Sequence, residues 1–173
     1  MCQCDEDDHE KNTSLHLAAM CVNNENAVRL VTTMCTFNDG KAVQVNRKND
    51  HGQTALHLAA TAGNADVVRV LLDHGASRRV KDEDDCTALH TAALCPDDDS
   101  GAQVVGQLCK DEQLKTKKLR DNNNEQQSDD DSKDDDDFVN QKNNEGKTAL
   151  HLATATGKLR TVQVPYEKAG LGL

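Results

Sequence analysis

The chain has no tryptophan, one tyrosine and two phenylalanines among 173 residues, so large rings cannot fill its interior. Small aliphatic side chains must pack closely instead. With 36% hydrophobic residues, that favours one elongated domain over a single thick core. No apolar run approaches the roughly 18 residues of a membrane span. The start, Met1 to Asp8, places acids where a secretory signal carries basic and then apolar residues. A soluble protein of the cytoplasm, or of the nucleus as second compartment, is expected. Seven cysteines, an odd number scattered at 2, 4, 21, 35, 86, 95 and 109, read as reduced thiols, several of them acting as small core residues. Also missing are a glycine-rich phosphate loop, a nucleophile elbow and a zinc-protease helix, so no enzyme class is indicated.

Basic character is scarce as well. The net charge is −10, and nine acidic side chains with one lysine between Asp121 and Asp137 account for −8 of it, which leaves −2 for everything else. The single basic stretch, Lys110 to Arg120, is short and adjoins that acidic run, so a nucleic-acid-binding surface is unsupported.

What is present is a repeat. One segment occurs four times, as Thr13-Ser-Leu-His-Leu-Ala-Ala19, Thr54-Ala-Leu-His-Leu-Ala-Ala60, Thr87-Ala-Leu-His-Thr-Ala-Ala93 and Thr148-Ala-Leu-His-Leu-Ala-Thr154. The intervals between the threonines are 41, 33 and 61 residues. The second copy shows the whole unit: a turn at Asp50-His51-Gly52-Gln53, a helix from Ala55 to Ala62, a break at Gly63-Asn64, and a helix from Ala65 to Asp73. That second helix buries Val67, Val68, Val70, Leu71 and Leu72, and Gly75-Ala76 stops it.

The repeated segment resembles the ankyrin pattern Thr-Pro-Leu-His-x-Ala, with Ser14, Ala55, Ala88 and Ala149 in place of the proline. The resemblance implies an all-α solenoid of about four helix-turn-helix repeats. In it Thr13, Thr54, Thr87 and Thr148 open the first helices, and His16, His57, His90 and His151 join them in a structural hydrogen-bond network. The lengthened first interval, then Val45 to Ala60 and an ordinary 33-residue repeat, is similar to the start of the inhibitory ankyrin domain of I-kappa-B and NF-kappa-B precursor proteins.

Boundaries follow from the register. Residues 1–12 form an acidic tail and 13–120 hold repeats one to three, with a possible extra helix at 110–120. Residues 121–137 contain no aliphatic or aromatic side chain and are expected to stay a disordered acidic loop. A truncated fourth repeat spans 138–164, and 165–173 is a tail. In the third repeat Ser100 with Gln103 is expected to cap the second helix.

By the resemblance, a partner is held by the loop tips and the inner helix faces. The tip residues are Asn49, Asp50, His51 and Gln53, then Glu83, Asp84 and Asp85, then Asn143, Asn144, Glu145 and Lys147. The middle tip is wholly acidic, so the expected partner is a protein with a basic segment, a Rel-type transcription factor if the I-kappa-B likeness holds. A scaffold for an unrelated protein is the alternative. A metal-binding acidic protein ranks last: the four histidines sit a hairpin apart, and Asp129 to Asp134 lacks the glycine and terminal glutamate of a calcium loop. No cofactor, metal, nucleic acid or membrane contact is expected, and the chain should be a monomer.

Overall fold

The computed structural model describes residues 11–21, 24–36, 45–120, 138–158 and 160–162, with the backbone alone at 24 and 110–120. Among them all regular structure is helical. The helices are α1 (Ser14–Met20), α2 (Asn24–Thr36), α3 (Ala55–Thr61), α4 (Ala65–Asp73), α5 (Ala88–Ala93), α6 (Asp98–Arg120) and α7 (Ala149–Ala155). A 3-10 turn at Phe138–Asn140 precedes the fourth motif, and a helical turn at 160–162 follows α7. Residues 1–10, most of the expected acidic tail, lie outside the described residues. So do 121–137, the expected acidic loop, and 163–173.

Inner helices α1, α3, α5 and α7 stack on one another, and outer helices α2, α4 and α6 form a second row behind them. This is the expected solenoid. A hairpin of two helices cannot enclose its own apolar side, so each unit hides it against the next. Ala55, Ala59, Ala60, Ala88, Ala92 and Ala93 are almost wholly buried where the inner helices approach. Leu56, Leu71 and Leu108 fill the space between the rows, each stabilising the stack by about 1.5–3 kcal/mol relative to exposure. Val67 and Val68 are buried as the pattern predicts, while Val70 and Leu72 pack half-buried at the edge. Phe138, the one aromatic ring among the described residues, enters the core where the chain rejoins the stack.

Helix ends follow local chemistry. α4 stops one residue before His74. Gly75, at φ +86°, lets its own N–H reach Leu72 O at 3.0 Å and that of Ala76 reach Leu71 O at 2.9 Å. At its start, Asn64 Oδ1 accepts from Val67 N at 3.3 Å. The residue equivalent to Asn64 in the third repeat, ten past the motif threonine, is Asp97. Asp97 Oδ2, not Ser100, caps α6, accepting from Ser100 N at 2.9 Å and from the Ser100 hydroxyl at 2.5 Å. The expectation for Ser100 is thereby corrected: a capping residue sits three positions before the N–H it satisfies, and Ser100 supplies that N–H.

Candidate functional site

The loops joining one hairpin to the next share one construction. Five residues before each motif threonine stands Asn49, Asp82 or Asn143, and its side-chain oxygen accepts two backbone N–H groups of its own loop. Asn49 Oδ1 takes those of His51 and Gln53 at 3.1 and 2.9 Å. Asp82 Oδ1 takes those of Asp84 and Cys86 at 3.0 and 2.9 Å, and Asn143 Oδ1 those of Glu145 and Lys147 at 3.1 and 2.9 Å. Two residues before each threonine the backbone is left-handed, at Lys11, Gly52, Asp85 and Gly146, with φ of +48°, +71°, +57° and +73°. Glycine suits that conformation; lysine and aspartate occupy it under strain.

Successive loops are also joined to one another. Glu83 N donates to His51 O at 3.2 Å and Asn144 N to Asp84 O at 3.0 Å, so the tips form one continuous ridge. Beneath the ridge runs a second ladder. The N–H of each motif threonine donates to Nδ1 of the histidine three residues on, at 3.1 to 3.3 Å, and the threonine hydroxyl lies 2.6 to 2.9 Å from the same nitrogen. An Nδ1 that accepts leaves the proton on Nε2. His16 Nε2 then donates to Gln53 O at 3.0 Å, and His57 and His90 to Cys86 O and Lys147 O, both at 3.2 Å. Burial pushes His57 and His90 below the ordinary imidazole value, although the carbonyls they meet pull the other way. These rings are neutral struts between repeats. His151 is exposed and makes only the bonds within its own repeat among the described residues.

The array of hairpins, loop braces and histidine ladder has a counterpart among known proteins. The family model for ankyrin repeats (many copies) matches residues 37–92. The chain contains ankyrin repeats. The Notch-regulated ankyrin repeat-containing protein B of Danio rerio is 41% identical over 62 residues, which are 36% of this chain and 50% of that protein. The human Notch-regulated ankyrin repeat-containing protein is likewise 41% identical over 62 residues, 49% of its length. The NF-kappa-B p105 subunit of Gallus gallus is 26% identical over 159 residues, 92% of this chain and 13% of p105. The chain thus spans about half the length of the first two relatives and a small part of the third.

Ankyrin repeats serve as protein-interaction modules, and the ridge carries the residues expected to meet a partner. Asp50, His51, Glu83, Asp84, Asp85, Asn144, Glu145 and Lys147 are exposed on the tips, and Gln53 is half-buried. Asn49 is 7% exposed, with its Nδ2 donating to Asn12 Oδ1 at 3.0 Å, so its side chain is committed within the stack. Asn143 is half-buried, its amide facing Cys86 Sγ at 3.7 Å. Part of the tip charge is balanced locally. Lys11 pairs with Asp50 at 2.8 Å, Lys81 with Asp85 at 3.9 Å and Lys147 with Glu145 at 2.7 Å. Among the described residues no cation pairs with Glu83 or Asp84.

The inner helices add residues that composition alone does not single out. Leu17, Met20 and Leu94 are exposed, and Leu58 and Leu152 half-buried. They fall four or seven residues after the motif threonines, a register that would have identified them. Cys86 lies beside the middle tip, its thiol pushed up chiefly by burial and further by Asp82, Asp84 and Glu145, against the opposing bond from Asn143. It stays a neutral thiol. Of the cysteines read as packing residues, Cys86 and Cys95 are buried, Cys35 and Cys109 are intermediate, and Cys21 is exposed. No group of three or more metal-ligating side chains is assembled among the described residues, and no helix there is long and apolar enough to cross a membrane.

Proposed function

We propose that the protein is a non-catalytic binding module that holds a partner protein through a basic segment laid along the loop ridge. The observation carrying this is the middle tip. Glu83 and Asp84 are exposed and unpaired with any described cation, and their backbone is fixed by bonds to the loops on either side. Carboxylates on a fixed backbone lose only side-chain freedom when a cation arrives, and they steer its approach from solution. Such steering weakens as salt shortens the screening length from about 10 Å at 0.1 M to about 3 Å at 1 M.

A Rel-type transcription factor is the partner favoured among basic proteins. The alignment to p105 runs along 92% of the chain, and the lengthened first interval accords with the inhibitory domain of I-kappa-B proteins. On this reading the protein works in the cytoplasm, with access to the nucleus. The unrelated-partner scaffold remains the second reading, since the matches to Notch-regulated relatives are higher in identity but shorter.

Titration calorimetry with a purified Rel homology region that retains its basic nuclear-localisation segment tests both levels. Binding at 0.1 M salt should fall at least about tenfold at 0.5 M and in the Glu83→Lys, Asp84→Lys double variant. Salt-independent binding, or none, to any basic partner overturns the electrostatic reading. Binding of other basic proteins but not the Rel region overturns only the Rel assignment.

A further inference from the structure

Two departures from the repeat pattern coincide at the junction of the third and fourth repeats. Seven residues after the motif threonine, the inner helices carry Met20, Thr61, Leu94 and Ala155. Leu94, 48% exposed, therefore stands proud between a threonine and an alanine. It forms the floor of a cleft with the half-buried Leu152, and Asp84, Asn143, Asn144 and Glu145 make the wall. The wall spans two tips: Glu145 is already paired with Lys147, whereas the Asp84 carboxylate, among the described residues, meets only the Asn144 side-chain amide, at 3.2 Å. At the other end of the array Leu17 and Met20 are equally exposed, but the adjacent tip charge of Asp50 is already paired with Lys11.

The geometry points to this cleft as the seat of an extended partner segment carrying an aliphatic side chain next to an arginine or lysine, the aliphatic group on Leu94 and Leu152 and the cation on Asp84. The proposal rests on the basic-partner reading and adds to it an apolar anchor at one place. A purely polybasic chain would leave the leucine floor wet or cover it with charge. A purely apolar chain would bury the Asp84 carboxylate without a counter-ion, which is costly. In an extended strand successive side chains alternate sides, so the aliphatic group faces the floor while the long, flexible stem of a neighbouring arginine or lysine bends its charge to the wall.

The test uses three labelled ten-residue peptides in fluorescence anisotropy with the whole chain. One has Arg-Leu-Arg-Leu-Arg at its centre, one has serine for each leucine, and one has serine for each arginine. The first should bind at least about fivefold more tightly than either of the others. Leu94→Ser should weaken it by about fivefold or more without changing its salt dependence, and Leu30→Ser, on the outer helix α2, should leave it unaltered. Both leucines are exposed, and a thermal melt checks that the variants fold. Equal binding of the leucine and serine peptides, no effect of Leu94→Ser, or an equal effect of Leu30→Ser overturns the cleft while leaving the basic-partner reading in place. Failure of both arginine peptides to show salt-sensitive binding overturns the two together.

Discussion

His57 Nε2 donates to the carbonyl of Cys86, 29 residues away, at 3.2 Å, one of the bonds that join the second repeat to the third. The bond from the Thr54 N–H to Nδ1 of the same ring requires the imidazole to be neutral, because only an unprotonated Nδ1 can accept. The same holds for His90, which reaches Lys147.

A pH dependence follows from those rings. His57 and His90 are depressed below the ordinary 6.5 by burial, so their contribution to stability is complete above about pH 6.5 and is lost as pH falls through their folded values. The urea midpoint should drop between pH 7.5 and pH 5. Nitrogen NMR should show an unprotonated Nδ1 in both rings at pH 7.5. Protonated Nδ1 at that pH would sink the ladder as described.

The left-handed loop positions predict opposite signs for two substitutions. A Cβ at Gly52 would lie 2.9 Å from Glu83 N, in a conformation that side chains resist, so Gly52→Ala should cost about 1–2 kcal/mol. Asp85 already occupies the equivalent conformation at φ +57°, and Asp85→Gly should be neutral or stabilising by up to about 1 kcal/mol. Chemical denaturation of both variants gives the comparison, and destabilisation by Asp85→Gly would contradict it.

The fourth repeat borrows its cap. Lys158 stands where Asn64 and Asp97 cap their own helices, and a lysine side chain cannot accept. Asp98 of the third repeat does so instead, accepting from Arg160 N and Thr161 N at 3.1 Å and from the Thr161 hydroxyl at 2.9 Å. Burial raises the Asp98 carboxyl, but those donors outweigh it and hold it below the usual range. Asp98→Ala should loosen the turn at 160–162 by about 1 kcal/mol, seen as faster amide exchange there, and adding Lys158→Asn should restore part of the protection. Unchanged exchange in Asp98→Ala would remove this role.

Gln141 Oε1 is buried without a hydrogen-bond partner among the described residues. The equivalent position in the third repeat, seven before its motif threonine, is Val80. Gln141→Val should therefore raise the melting midpoint, by the equivalent of about 1 kcal/mol, because it removes an unsatisfied acceptor. A lower midpoint would show that packing of the glutamine stem matters more.

The hairpins were readable from the chain because their signals are local. Thr54 and His57 meet across three residues, Ala59 and Ala60 mark close approach, and the bounds of α4 at Ala65 and Asp73 follow from Asn64 and Gly75. Which polar residues remain available to a partner was not readable. Asn49 looks like a surface residue but braces its loop, and Ser100 looks like a cap but supplies the capped N–H.

Sequence by itself thus determined the repeat, its helices and its acidic middle tip, since each depends on side chains reaching only a few residues along the chain. Only the tertiary structure decided that Asp98 reaches Thr161 across 63 positions, that the tips are bonded into one ridge, and that Leu94 lies beside Asp84 and Glu145. Those relations depend on how far each hairpin is displaced on the next, and that displacement is set by packing of the whole stack.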